Sequence, residues 1–347
     1  MNVRRVRVSL RGWGGVGAMA VACAVALVFV LLLPSVRPPG GGNGGGAGAG
    51  TGRVATAEQA RADHCKESEA QKQTLSPSGA DGSTIDAIKA RPDGKRKLIV
   101  GIDQNSYRWG YRNPNAKGAE LEGFDIDLAH RIAREILGDP DAVQFKAIPT
   151  SRRIPAIKDG RVDMVVRAMT ITCDRLADVA FSAPYFKTGQ QVLAPKSSSI
   201  TGYNGSLAHK RICTAAGSTA YTKLEEDRKE GRLAASADIS RTVPNQLDCL
   251  VRLQLGQADA VVTDAALAAS QAAQDPTVEL KGAAFTTEYY GVAMKKDAGD
   301  LVRRVNHILV DYRADGWQAS YDKWLSATLG KSSTPSEPPP PQYLRKS

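Results

Sequence analysis

The chain of 347 residues is poor in the side chains on which most catalytic and nucleic-acid-binding sites depend. It has only four histidines, His64, His130, His209 and His307, scattered so that no H-x-x-x-H pair could hold a metal from one helix face. No G-x-S-x-G turn presents a serine nucleophile, and no G-x-x-x-x-G-K-[ST] loop could cradle phosphates. Aromatic residues make up 6% of the chain and do not alternate with basic runs, which argues against a nucleic-acid groove. Acidic residues are missing from the first 37 positions, where Arg4, Arg5, Arg7, Arg11 and Arg37 supply half of the net charge of +10. The remaining excess is spread over mixed-sign helices. No short-period repeat is visible. Neither a cofactor nor a metal is expected.

What is present begins with an apolar run from Val16 to Leu33 that Pro34 closes. As a helix it would be about 27 Å long, close to the thickness of a bilayer core. Arginines before it and no charge within it place the rest of the chain outside the cytoplasm. The lack of an A-x-A cleavage site after Leu33 favours an uncleaved signal anchor over a removed signal peptide. Ala22-Cys23 resembles a lipoprotein cleavage site, but the most apolar stretch follows Cys23 instead of preceding it. Residues 1–34 are therefore expected to be an anchor or signal. Residues 35–94 read as a tether and N-terminal extension, Gly- and Pro-rich over 37–52, with a short helix around Glu58 to Lys72. Residues 331–347 read as a disordered proline-rich tail.

Between them, strand-like and helix-like segments alternate, which predicts an α/β fold with mostly parallel strands. Lys97 to Ile102 forms a buried-strand pattern. Phe124, Leu128, Ile132 and Ile136 share one helix face, with Asp125 and Asp127 near its N-terminus and Gly138 at its end. Val143 to Ile148 and Val162 to Val166 are further strands. A second, similar series covers Arg211 to Thr263, and amphipathic helices with Leu301, Val305, Ile308, Tyr312, Trp317, Tyr321 and Trp324 end the body.

Gly123-Phe124-Asp125-Ile126-Asp127-Leu128 resembles the signature segment of the polar amino-acid solute-binding proteins of ABC importers, family 3. Val162 to Phe186 and Glu288 to Lys296 are similar to the later landmarks of that family, and the likeness runs from about Lys95 to Leu325. Cysteine placement in ITCDR, RICTA and LDCLV looks closest to the glutamate-, glutamine- and aspartate-binding proteins of high-GC Gram-positive bacteria. The resemblance implies a periplasmic-binding-protein-like fold of two lobes, 95–192 with 288–330 and 197–284, hinged near Leu193 to Lys196 and Thr286 to Tyr290. It also implies a monomer that works with a transporter permease. The lobe boundaries place Cys213 and Cys249 together, favouring that disulfide and, with it, Cys65 to Cys173 in an oxidising compartment.

A zwitterionic ligand needs a partner for each buried charge. Arg175 can grip a carboxylate bidentately, with Thr170 and Ala168 in the adjoining turn; the alternative is a solvated helix residue. Ser218 and Thr219, after Gly217 at a helix start, suit an anion, or simply cap the helix. The resemblance gives Asp264 the ligand ammonium, with a helix cap as the alternative, and puts an aromatic, Tyr107, Trp109 or Tyr111, over the ligand. Arg167 stands where many family members have a small polar residue. An arginine there predicts a ligand with a second carboxylate, glutamate or aspartate, with glutamine as the alternative, unless it forms a salt bridge pointing outward. Two other functions keep the same fold: a membrane-anchored amino-acid sensor, and a cyclohexadienyl-dehydratase-like enzyme.

Overall fold

The computed structural model describes residues 65–115, 118, 120–331 and 336–344. All belong to one compact unit, Ala55–Ser347. The apolar run and the glycine-rich tether lie outside the described residues. Among the described residues, no helix is long and apolar enough to cross a membrane.

A 3-10 turn at Glu67–Lys72, where a short helix was expected, and helix α1 (Ser83–Lys89) precede strand β1 (Leu98–Ile102). A small ribbon of β2 (Asn105–Ser106), β3 (Gly110–Arg112) and β4 (Leu121–Glu122) leads into helix α2 (Phe124–Leu137). Strand β5 (Val143–Ala147), helix α3 (Arg153–Lys158), strand β6 (Met164–Val165), helix α4 (Cys173–Asp178) and strand β7 (Val179–Phe181) follow. The chain then crosses through β8 (Phe186–Thr188) into β9 (Gln190–Pro195), β10 (Arg211–Ala215), α5 (Thr219–Lys229), β11 (Asp238–Val243), α6 (Gln246–Gln254), β12 (Ala260–Asp264), α7 (Ala265–Gln274) and β13 (Val278–Lys281). It returns through β14 (Glu288–Tyr290) to β15 (Ala293–Lys295), α8 (Gly299–Asp315), α9 (Trp317–Trp324) and α10 (Ser326–Leu329).

Two five-stranded sheets result, ordered β5-β1-β6-β15-β7 and β11-β10-β12-β9-β13. Each has a parallel centre, β5-β1-β6 in one and β11-β10-β12 in the other, flanked by antiparallel strands. Apolar runs such as LIVGI in β1 are buried because helices or loops cover both faces, as parallel sheets require. The fourfold spacing of Phe124, Leu128, Ile132 and Ile136 puts all four into the core. Gly123 before α2 has φ 134°, and a Cβ there would lie 2.4 Å from the Trp109 carbonyl oxygen, so only glycine fits.

The sheets are joined by the antiparallel pair β8 and β14. The first crossing therefore lies at 186–189. The expected hinge at Leu193 to Lys196 is instead inside the second sheet, where Leu193 pairs with Val261 and Pro195 with Val278. The C-terminal tail also differs from a free segment. Ser336 is buried, and the Leu344 N–H donates to the Thr74 carbonyl at 2.8 Å. Disulfides join Cys65 to Cys173 and Cys213 to Cys249, the pairs favoured above.

Candidate functional site

The cleft between the sheets is built from the C-terminal ends of parallel strands and the helix starts that follow them. Strand β12 ends on Asp264, the loop after β10 carries Gly217 and Ser218, and the turn after β6 carries Arg167, Ala168 and Thr170. Ala168 has φ 42°, and its N–H is held by the Asp125 carboxylate at 3.1 Å. Together Arg153, Ala168, Thr170, Arg175, Ser218, Thr219, Ala220, Gln246, Thr263 and Asp264 line a small, tightly closed cavity.

Arg175 is the third residue of α4, whose N-cap Thr172 accepts from the Arg175 N–H at 3.2 Å. Its guanidinium donates to the carbonyls of Thr170 (2.7 Å) and Gly217 (3.2 Å). No carboxylate pairs with it among the described residues, and burial weakens its hold on its proton. Asp264 accepts from the Tyr290 hydroxyl at 2.5 Å. Burial, and next the negative charge of Glu288, push its carboxyl up to about 7. Glu288 is not on the cavity wall; it accepts hydrogen bonds from Gln190, Thr286 and Thr219.

Ser218 caps α5, its hydroxyl accepting from the Tyr221 N–H at 3.1 Å. Thr219 spends its hydroxyl on Glu288 at 3.1 Å. Both still line the cavity, so the capping reading describes what Ser218 Oγ does and leaves its wall position intact.

Two expectations need correction. Arg167 is not a cation awaiting a ligand: it pairs with Asp103 at 2.7 Å, the two being 2% and 6% exposed, and donates to Thr150 (3.0 Å) and Asn245 (3.1 Å). Asp103, not counted as a cleft acid in the sequence, neutralises it. Tyr107 does not line the cavity either. It packs edge-on to Tyr111 at 5.1 Å and borders a separate groove with Asn105, Leu247 and Gln274. Trp109 is buried against Phe124, Phe186 and Tyr290, as core.

Four lining residues were missed from sequence, Ala220, Gln246, Thr263 and, the one charged residue among them, Arg153. It opens α3, is 3% exposed, and donates only to carbonyls, those of Thr150 (3.0 Å), Arg167 (3.3 Å) and Gly217 (3.5 Å). Burial, followed by the positive charges of Arg175 and Arg167, lowers its proton affinity. A signal was available: Pro155 marks a helix start, and a cation at the positive end of a helix is disfavoured unless something else requires it.

The profile of the bacterial extracellular solute-binding proteins, family 3, matches residues 98–327. The ABC transporter glutamine-binding protein GlnH of Bacillus subtilis is 33% identical over 243 residues, 70% of this chain and 84% of its own. A glutamate-binding protein, GluB of Corynebacterium efficiens, is 28% identical over 68% of this chain and 80% of its own. Among solved structures, a solute receptor for L-cysteine of Neisseria gonorrhoeae superposes with a TM-score of 0.65 at 25% identity, covering 74% of this chain and 99% of that one.

Proposed function

The chain belongs to the bacterial extracellular solute-binding proteins, family 3, and from that membership we propose that it is the extracytoplasmic binding component of an amino-acid ABC transporter, closing on glutamate or aspartate. One lobe would comprise 65–189 with 286–331, the other 190–285, and the β8 and β14 crossing would carry the hinge. An N-terminal membrane anchor and delivery to a permease belong to this reading.

The observation that supports an acidic ligand is the pair of buried guanidinium groups, Arg153 and Arg175, on one cavity wall with no ion-pair partner among the described residues. Arg167 and Asp103 cancel each other, so they contribute nothing to selection. In the proposed complex Arg175 takes the α-carboxylate, Asp264 the ammonium and Arg153 the side-chain carboxylate, with Thr170, Ser218 and Thr219 walling the site. A neutral side chain would leave Arg153 buried without a counter-charge, whereas an acid supplies it. Glutamine is the competing ligand, since one relative carries its name and another that of glutamate.

The role is binding without turnover. What supports this is the family match, whose relatives named above are binding proteins. Calorimetry of the full chain against the twenty amino acids tests the whole reading. Glutamate or aspartate should bind more than tenfold tighter than glutamine, a difference of about 1.4 kcal/mol or more. Equal affinities would reject the acidic ligand, and product formed from a cyclohexadienyl acid would reject the non-enzymatic role.

A further inference from the structure

The segment before residue 98 lies outside the family match, yet it reaches the helix that carries Arg175. Cys65 is bonded to Cys173, the first residue of α4. Two residues along the extension, Glu67 Oε1 accepts from the Cys173 N–H at 2.9 Å. That N–H is one of the donors a helix start leaves without an internal partner. The extension is pinned again at Thr74, whose hydroxyl donates to the Phe181 carbonyl at 2.7 Å and accepts from Asn306 at 3.0 Å. Glu67 is thus fixed from both sides.

We infer that the N-terminal extension is a working part of the binding site, in which Glu67 and the Cys65 to Cys173 disulfide are positioning elements that hold Arg175 in its ligand-gripping place. This rests on the assignment of Arg175 to the ligand carboxylate. The chain of contacts is short. Glu67 and the disulfide hold Cys173, Thr172 holds the Arg175 N–H, and the Arg175 guanidinium donates to the Thr170 carbonyl at the cavity wall. Six residues of helix supply little cooperativity of their own, so α4 depends on these outside partners. Nearby negative charge on Glu67 also opposes an incoming carboxylate, which makes its hydrogen bond, and not its charge, the useful property.

That distinction separates positioning from general stability. Calorimetry with L-glutamate on the full chain should find Glu67→Ala about tenfold weaker than the parent. Glu67→Gln, whose amide oxygen still accepts, should bind at the parental level or tighter. Should Glu67→Ala fail to fold, the double variant Cys65→Ser with Cys173→Ser supplies the same test, with a loss of about tenfold expected while Glu67 remains. Parental affinity in Glu67→Ala, or in the folded double variant, overturns the inference. Equal losses in Glu67→Ala and Glu67→Gln overturn it as well. Arg175→Ala keeps the two readings apart: if it loses binding while Glu67→Ala does not, the carboxylate assignment stands and the positioning role falls. If Arg175→Ala binds like the parent, the assignment itself fails and the inference with it.

Discussion

At the scale of single residues, the three cleft arginines differ by what each already has as a partner. Arg153 has only carbonyls, so Arg153→Ser should cost glutamate more than tenfold while changing glutamine little, as the ratio of two calorimetric affinities would report. Arg167→Ser should act on folding instead. It strands Asp103 in a buried site, a loss of about 3–5 kcal/mol visible in denaturant unfolding, with the glutamate to glutamine ratio unchanged. A shifted ratio in that variant would restore Arg167 to the ligand. Asp264 gives the pH dependence. Its carboxyl is raised to about 7 by burial and Glu288, while Tyr290, Arg175 and Arg153 oppose the rise. A ligand ammonium favours the ionised form, so binding below that point must expel a proton. Affinity should therefore be level above about pH 8 and weaken about 30-fold by about pH 5.5. A flat profile would remove the ammonium from Asp264.

Arg175 and Asp264 line the same cavity, where the family resemblance puts them, and their roles toward a ligand belong to the proposal above. Arg167 was misjudged because its partner is 64 positions earlier, on the loop after β1, and only tertiary packing brings the two charges together. The same limit applies to Tyr107, whose place depends on how the β2 to β4 ribbon folds back on itself.

At the scale of elements, the sheets and helices followed from periodicity, and the hinge did not. The hinge at Leu193 to Lys196 rests on the family resemblance and not on a pattern in the residues; backbone pairing with β13 incorporates Leu193 to Pro195 into the second sheet. The junction between β10 and α5 makes one of the contacts across the cleft. Gly217 has φ 77°, its carbonyl receives both Arg153 and Arg175, and a Cβ would stand 2.9 Å from Ser151 Cα. Gly217→Ala should strain the turn and hold the two sides apart. We expect about tenfold weaker binding, expressed as faster dissociation in stopped-flow measurements. An unchanged dissociation rate would mean that this contact does not limit closure.

At the scale of the whole molecule, the disulfides divide the work. Cys213 to Cys249 closes a loop of 36 positions inside the second sheet's own core, so its replacement by alanines should lower stability by about 2–4 kcal/mol and leave ligand preference alone. Differential scanning calorimetry with and without glutamate would separate those effects. Cys65 to Cys173 spans 108 positions and ties the extension to the first sheet's side of the cleft.

The contact of Leu344 with Thr74 has a mechanical meaning. Extension, tail and the β5-β1-β6-β15-β7 sheet form one block, while 190–285 is a loop of chain that leaves it and returns through a single two-stranded strap. Helix α10, near the C-terminal end of the block, packs on α7 of the inserted part, and Ala266 and Leu267 join the first sheet's core. A swing of 190–285 about the strap, as proposed above, would therefore have to break or slide that second contact, which makes the α7 and α10 seam a latch on closure.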